Sequence, residues 1–183
     1  MKKNILLFTA FILSFITILS ACGSSKEANE NISNTINVEN NNSTETIKEL
    51  QVRFGDMGIP FTLHLYDNDT AKTITSFVGL GNLRLPIYHY DGYDNWEVMQ
   101  YYDIPSKYEI PQNPETITLQ KAGEVYFEEG NRIVLFYKDA QISGEYTKLG
   151  YFDTSEDFVS AVESNPVLEG WGNKIVVISA NNK

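Results

Sequence analysis

The chain has 183 residues, with 14 basic and 24 acidic side chains and a formal net charge of −10. That balance argues against nucleic acid or an anionic membrane surface as partner and suits neutral or cationic ligands. A single cysteine and two histidines leave no intramolecular disulfide and argue against a His/Cys metal site.

Lys2 and Lys3 precede an apolar run from Ile5 to Leu19, interrupted by Thr9, Ser14 and Thr17. This is the layout of an export signal, and the run is short for a spanning helix, which needs about 20 apolar residues. Leu19-Ser20-Ala21-Cys22, followed by Gly23, Ser24 and Ser25, resembles the lipobox of bacterial lipoproteins, whose cysteine takes a diacylglyceryl group before cleavage in front of it. The resemblance implies a signal peptide at 1–21, lipidation at Cys22, and a cell-envelope, extracytoplasmic location. The lipid bilayer would then be a partner through acylated Cys22. Two or more acyl chains hold lastingly where one holds marginally. Loss of Lys2 and Lys3 leaves 12 basic against 24 acidic residues, so the mature chain is near −12.

Residues 22–45 comprise the lipidated Cys22 and a linker. Gly23 to Glu45 holds seven asparagines and few apolar residues, too little to bury for folding. As a flexible coil it spans roughly 25 Å. Residues 46–183 are long enough for one domain with a real core.

Within that domain, Ile47 to Phe54 alternates as a strand does, and Gly55 to Pro60 is a turn. Phe61-Thr62-Leu63-His64-Leu65-Tyr66 alternates with Phe61, Leu63 and Leu65 inward. Asp67, Asn68 and Asp69 offer capping oxygens for a helix carried by Ala71, Ile74, Phe77 and Val78 and stopped at Gly79 and Gly81. Leu83, Leu85 and Ile87 alternate again. Trp96 to Tyr102 reads as a strand ended by Pro105, and Pro105, Pro111 and Pro114 mark a long loop. Ile117 and Leu119 lie in a short strand. Val125 to Phe127 and Ile133 to Tyr137 flank Glu128-Glu129-Gly130-Asn131 as a hairpin. Tyr146 to Phe152 is a further strand. Thr154, Ser155 and Asp157 cap a second helix with Phe158, Val159, Ala161 and Val162 on its face. Ile175 to Ile178 closes the domain.

Strands dominate, and their inward faces need a common interior. A closed antiparallel β-barrel of about eight strands, with one helix over each end, removes the exposed edges. The competing architecture is an open sheet with both helices on one face.

The order of two strands, helix, strands, helix and strand is that of the cyclophilin fold. Phe61-Thr62-Leu63-His64-Leu65-Tyr66-Asp67-Asn68-Asp69-Thr70-Ala71-Lys72 resembles the strand-to-helix entry of bacterial cyclophilin-like domains. Ala122-Gly123-Glu124-Val125-Tyr126-Phe127, with Gly130-Asn131-Arg132-Ile133-Val134-Leu135-Phe136-Tyr137, resembles their second motif. Thr147-Lys148-Leu149-Gly150 resembles a third. The resemblance runs from about Gln51 to Ser179 and implies a mainly β, cyclophilin-like barrel. It does not extend to the signatures of active prolyl isomerases, a Phe-His-Arg strand and a Phe-x-x-Gln-Gly-Gly segment. Their nearest counterparts are Leu83-Arg84-Leu85-Pro86 and an isolated Gln100.

Arg84 is the candidate catalytic residue. The barrier to rotating a peptide bond is about 18–20 kcal/mol, and a guanidinium bonded to the prolyl nitrogen or the adjacent carbonyl lowers it by favouring the twisted state. Arg84 should face outward, because Leu83 and Leu85 face the core. Tyr88, His89, Tyr90, Tyr93, Trp96, Tyr101, Tyr102 and Tyr108 form a dense aromatic set suited to a peptide or small-molecule ligand. From these, Arg84, Tyr88, His89, Tyr90, Trp96, Tyr101 and Tyr102 are selected as ligand-binding. His64 is expected to face solvent or a partner on its strand.

Asp67, Asp69, Asp91 and Asp94 lack EF-hand spacing, and the first two are explained as helix caps. There is no Gly-x-Ser-x-Gly elbow, dinucleotide fingerprint or phosphate loop, so no metal and no cofactor are expected. The sequence thus reads as a lipid-anchored binding module, with a prolyl isomerase acting on exported proteins as the alternative and a purely structural envelope protein as a third class.

Overall fold

The computed structural model describes residues 48–181. The elements are β1 (Lys48–Phe54), β2 (Pro60–Leu65), α1 (Asp69–Leu80), β3 (Leu83–Ile87), β4 (Met99–Asp103), β5 (Glu115–Ile117), β6 (Glu124–Glu128), β7 (Arg132–Phe136), β8 (Gly144–Phe152), α2 (Glu156–Glu163) and β9 (Lys174–Ala180). Cys22, the signal segment and the linker lie outside the described residues. Among the described residues no helix is long and apolar enough to cross a membrane.

Eight strands run in the order β2-β1-β9-β3-β4-β7-β6-β8, and β8 pairs back onto β2, so the sheet closes into an antiparallel barrel. The open-sheet alternative is thereby overturned. β8 is nine residues long and serves three partners. Its start carries β5, its middle β6 and its end β2. Closure demands that β8 come very near β2. At Gly150 an added Cβ would sit 2.2 Å from the His64 carbonyl oxygen, so only glycine allows that approach. Gly123 has a φ of +91°, and a Cβ there would lie 2.5 Å from the Phe152 carbonyl oxygen. Both motif glycines therefore serve the barrel.

Alternation sets the interior. Leu50, Val52, Leu63, Leu65, Leu85, Ile87, Tyr102, Val125, Phe127, Ile133, Leu135, Val176 and Ile178 share one buried cluster. The helices plug opposite ends of it. β1 leaves and β2 enters at Phe54 and Phe61, and there Phe158 of α2 packs against Phe54, Phe61 and Phe152 with ring centroids 5.0–5.9 Å apart. β2 exits at Leu65 toward α1, which adds Ala71, Ile74 and Val78 to the same core. Asn68 caps α1, its Oδ1 accepting from the Ala71 N–H at 2.9 Å, and Ser155 caps α2. Asp67 pairs with Lys72 at 2.7 Å, and Asp69 sits in the first turn of α1, where its charge suits the helix dipole.

A second, smaller cluster lies on the outer face: Tyr126, Val134, Phe136 and Tyr146, with Met99, Tyr101, Ile117, Ala140 and Ile142 against them. Gln120 holds this covering layer down, its amide bonding both the N–H and the carbonyl of Ile142. β7 is consequently buried on both faces, which is why it reads as an unbroken apolar run.

The sequence reading differs at several ends: Gly79 lies inside α1, which stops at Gly81, Leu119 lies beyond β5 and Tyr137 beyond β7, and the largest difference precedes β4. Trp96, Glu97 and Val98 are in turn, and β4 starts only at Met99. Asp91, Gly92 and Asn95 all take positive φ, and the Asn95 carbonyl accepts from both Val98 and Met99. These turn-forming residues outweigh the β-propensity of Trp96 and Val98.

Candidate functional site

Arg84 lies on the outer face of β3, between buried Leu83 and Leu85, as expected. Its guanidinium is not free. Nε donates to Asp56 Oδ1 at 2.9 Å and Nη2 to Asp56 Oδ2 at 2.7 Å, and its central carbon stands 4.2 Å from the centroid of the Trp171 ring. Asp56 comes from the turn between β1 and β2, and Trp171 from the loop between α2 and β9. The hydrogen bonds from Arg84 hold the Asp56 carboxyl below the usual carboxylate range, and the same bonds raise Arg84 above its ordinary value. Sequence reasoning singled out neither Asp56 nor Trp171. The one available signal was Gly170-Trp171-Gly172, which displays an indole between two residues of positive φ.

Tyr90 belongs to the same neighbourhood. Its hydroxyl reaches the Gly172 carbonyl at 3.5 Å, and the buried Lys174 amine stands 4.8 Å from its ring centroid. Tyr88 is exposed.

His89 and Tyr101 form a separate group. The His89 ring lies 4.9 Å from Tyr101 and 5.5 Å from Tyr93, and the residue is only 6 % exposed. Burial pulls its pKa below the ordinary histidine value, with the Asp94 backbone opposing. On its other side Tyr101 carries the Arg132 guanidinium at 3.8 Å, and Arg132 forks onto Asp103 at 2.7 and 3.4 Å. Trp96 is half-buried, its carbonyl accepting from the Tyr137 hydroxyl at 2.5 Å.

Tyr102 requires a correction. It is 3 % exposed and lies inside the barrel, opposite Ile87 and Ile133. Tyr101 and Tyr102 are consecutive on one strand, so they point to opposite faces and cannot line one groove. Gln100, the nearest counterpart to the isomerase glutamine, shares the inward face. It is buried and donates to the Val162 carbonyl at 3.4 Å.

His64 finds a partner, but across the β2–β8 seam and not on its own strand. Its Nε2 lies 3.3 Å from Asp153 and its ring stacks on Tyr151. Tyr108 packs on Phe77, seating the proline-rich loop on α1. Among the described residues no group of three His, Cys, Asp or Glu side chains is placed to hold a metal ion.

A cleft of about 860 Å³ opens elsewhere on the domain. Tyr66 to Thr70, Pro111 to Asn113, Glu115, the strand segment Glu124–Tyr126, Thr147, Lys148 and Gly150 line it. None of the residues selected as ligand-binding is among them, although family-motif residues such as Tyr66, Asn68, Glu124 and Gly150 are.

A family model described as the cyclophilin-like family matches residues 52–168. The chain belongs to the cyclophilin-like family.

No curated protein matches the sequence. Among solved structures, the domain is similar to a hypothetical protein of Archaeoglobus fulgidus, at 14% identity and a TM-score of 0.47, covering 75% of this chain and 98% of that one. It is also similar to McbB, solved in complex with tryptophan, at 14% identity and a TM-score of 0.54. That match covers 73% of this chain and 45% of McbB, so the likeness spans under half of McbB and shows the fold alone. In this cyclophilin-like domain Arg84 of β3 has a carboxylate of its own in Asp56.

Proposed function

We propose that this protein is a lipid-anchored, extracytoplasmic cyclophilin-like module that binds a peptide or small ligand without catalysing prolyl rotation. The observation that carries the non-catalytic part is the Arg84–Asp56 fork under Trp171. A guanidinium accelerates rotation when its donors and charge are directed at the twisting amide more strongly than at the planar one. Here two of its donors and its charge are already committed to Asp56, and an indole covers one face.

What such a surface does well is bind. Trp171, Tyr88 and Tyr90 offer stiff aromatic area with polar ends on the outside of the barrel, and Arg84 a guanidinium, which suits an extended peptide. His89, Trp96 and Tyr101 support the loop behind them. The anchor half of the proposal rests on residues 1–22: the charged start, the apolar run and Leu19-Ser20-Ala21-Cys22.

Prolyl isomerisation of several Xaa-Pro peptides by the intact protein, with Arg84→Ala beside it, tests the first half. The expected result is no acceleration by either. Acceleration that Arg84→Ala abolishes makes the protein an isomerase and overturns this reading. For the anchor, a fatty-acid label should enter the wild type and be lost in Cys22→Ser, together with sedimentation in the membrane fraction. A label retained in Cys22→Ser refutes lipidation at that residue.

A further inference from the structure

We infer that the outer face of β1, β9 and β3 takes a peptide that carries a carboxylate beside a large apolar side chain, with Arg53 holding the carboxylate. The inference rests on the proposed peptide surface around Arg84 and deepens it, by naming the chemistry that this surface selects.

The cation comes first. Val177 of β9 is paired with Arg53 of β1 on one side and with Arg84 of β3 on the other. The residues flanking these three along their strands, Val52 and Phe54, Val176 and Ile178, Leu83 and Leu85, belong to the interior cluster. Both arginines therefore stand on the outer face, two strand spacings or roughly 10 Å apart at the backbone. Arg84 is forked onto Asp56. Arg53 has no such fork. Its Nε is buried without an acceptor, and its Nη groups make no hydrogen bond or ion pair among the described residues. Its charge is nevertheless felt at Asp56, whose carboxyl is held low by the Arg84 hydrogen bonds first and by Arg53 in addition.

Two guanidiniums thus share one carboxylate, on a chain whose net charge is −10. The surplus cation is local and its donors are unused. A buried donor without an acceptor is uncommon in folded proteins, and a planar carboxylate is an acceptor that a guanidinium matches well.

The apolar part lies next to it. A pocket of about 320 Å³ is lined by Phe54, Met57, Pro166, Leu168 and Ile175, enough for one large side chain. Ile175 is two residues before Val177 on the same face of β9, a separation of about 7 Å. A carboxylate on Arg53 consequently leaves the side chain of the same or the adjoining ligand residue over the pocket. Asp56 also lines the pocket, but its charge is matched by Arg84 and does not repel the ligand. Met57, Val167 and Trp171 stand exposed on the same two loops, apolar area that a peptide would cover. A bare anion such as phosphate would use the arginine and leave the pocket empty.

The test is titration of the intact chain in a neutral detergent, followed through backbone amide NMR shifts and the Trp171 indole N–H. The probes are N-acetyl-alanyl-phenylalanine as free acid, the same peptide as its amide, N-acetyl-alanyl-alanine as free acid, N-acetyl-glutamyl-phenylalanine amide, and inorganic phosphate. The phenylalanine acid is expected to shift Gly55, Val177 and the Trp171 indole at millimolar concentration. Its amide, the alanine acid and phosphate should each be at least tenfold weaker. A glutamyl peptide that matches the acid assigns the carboxylate to an acidic side chain, and a much weaker one assigns it to a peptide C-terminus. Either result supports the inference. Arg53→Gln should weaken the acid at least tenfold. Lys107→Gln, which removes equal charge from an exposed side chain elsewhere, should not. The comparison among probes needs no variant, so it decides the matter even if Arg53→Gln fails to fold. Equal binding of the amide or of phosphate, equal losses in the two variants, or no shift from any probe overturns the inference. Equal binding of the amide at this face still supports the peptide-binding module, and the isomerase assay decides the non-catalytic reading separately.

Discussion

Arg84 and Asp56 meet as a two-bond fork, 2.9 and 2.7 Å long, across 28 residues of sequence. Because the Asp56 carboxyl is held below its ordinary value by these bonds, the fork is intact above the usual carboxylate range. It comes apart as pH falls through the depressed value. Trp171 lies on the guanidinium and reports its position. In a Trp96→Phe background, Asp56→Asn is expected to change the Trp171 emission at neutral pH. Acidification should bring the protein carrying Asp56 to the same spectrum as the Asn variant. Identical spectra at pH 7 mean the fork does not hold Arg84 in solution.

His89 gives a second pH dependence, of the same sense but in a higher pH window. Its ring is buried between Tyr93 and Tyr101, with Arg132 on the far side of Tyr101 and Asp94 at the backbone, and its Nε2 has no partner. Burial and Arg132 both disfavour the charged ring, so the folded state binds that proton less readily than the unfolded chain. Stability is full above the ordinary histidine value of 6.5 and falls as pH drops below it toward the lowered folded value. Denaturant midpoints of wild type and His89→Gln should run parallel above pH 7 and diverge below 6.5, with the wild type losing more. Parallel curves down to pH 5 would falsify the assignment.

Gly150 and Gly79 separate a glycine the barrel requires from one it merely contains. A methyl at Gly150 strikes the His64 carbonyl at the β2–β8 seam, while one at Gly79 meets nothing within 4 Å. Gly150→Ala should cost roughly 2–3 kcal/mol or more, since the backbone itself must move. Gly79→Ala, near the end of α1, should stabilise by about 0.5 kcal/mol through the unfolded chain. Chemical denaturation of both variants measures the contrast, and similar effects in the two would refute the seam argument.

The same glycines explain how much was legible beforehand. The motifs that resemble the family carry barrel closure, through Gly123 and Gly150, so they announced the fold and were silent about chemistry. Period-two alternation placed β1, β2 and β3 correctly because each has one face in the core. The turn at Trp96 to Val98 was missed because its aromatic and β-branched residues argued for strand while Asp91 and Asn95 decided the backbone. The site was less legible for a geometric reason. Asp56 and Trp171 reach Arg84 only through the β3–β9 register, in which Arg84 lies opposite Val177, and sequence spacing does not encode that. The cleft beside α1 is likewise assembled from four separate stretches of chain.

Tyr102 shows what a burial error costs in a site assignment, and it supplies a sharp test. Its ring fills the barrel beside Ile87 and Ile133, but its hydroxyl is buried with no hydrogen-bond partner. Burial drives that phenol far above its ordinary value, with Tyr137 adding to the effect, so the group is neutral throughout the working pH range. A buried hydroxyl without a partner is destabilising by roughly 1–3 kcal/mol relative to its hydration in the unfolded chain. Phenylalanine keeps the ring and removes the hydroxyl. Tyr102→Phe should therefore be neutral or stabilise the fold by up to about 1 kcal/mol in denaturant unfolding, leaving ligand binding untouched. If Tyr102 instead reached a surface ligand, the variant would lose affinity without gaining stability. Tyr101→Phe, on the outer face, serves as the matched control from the same strand.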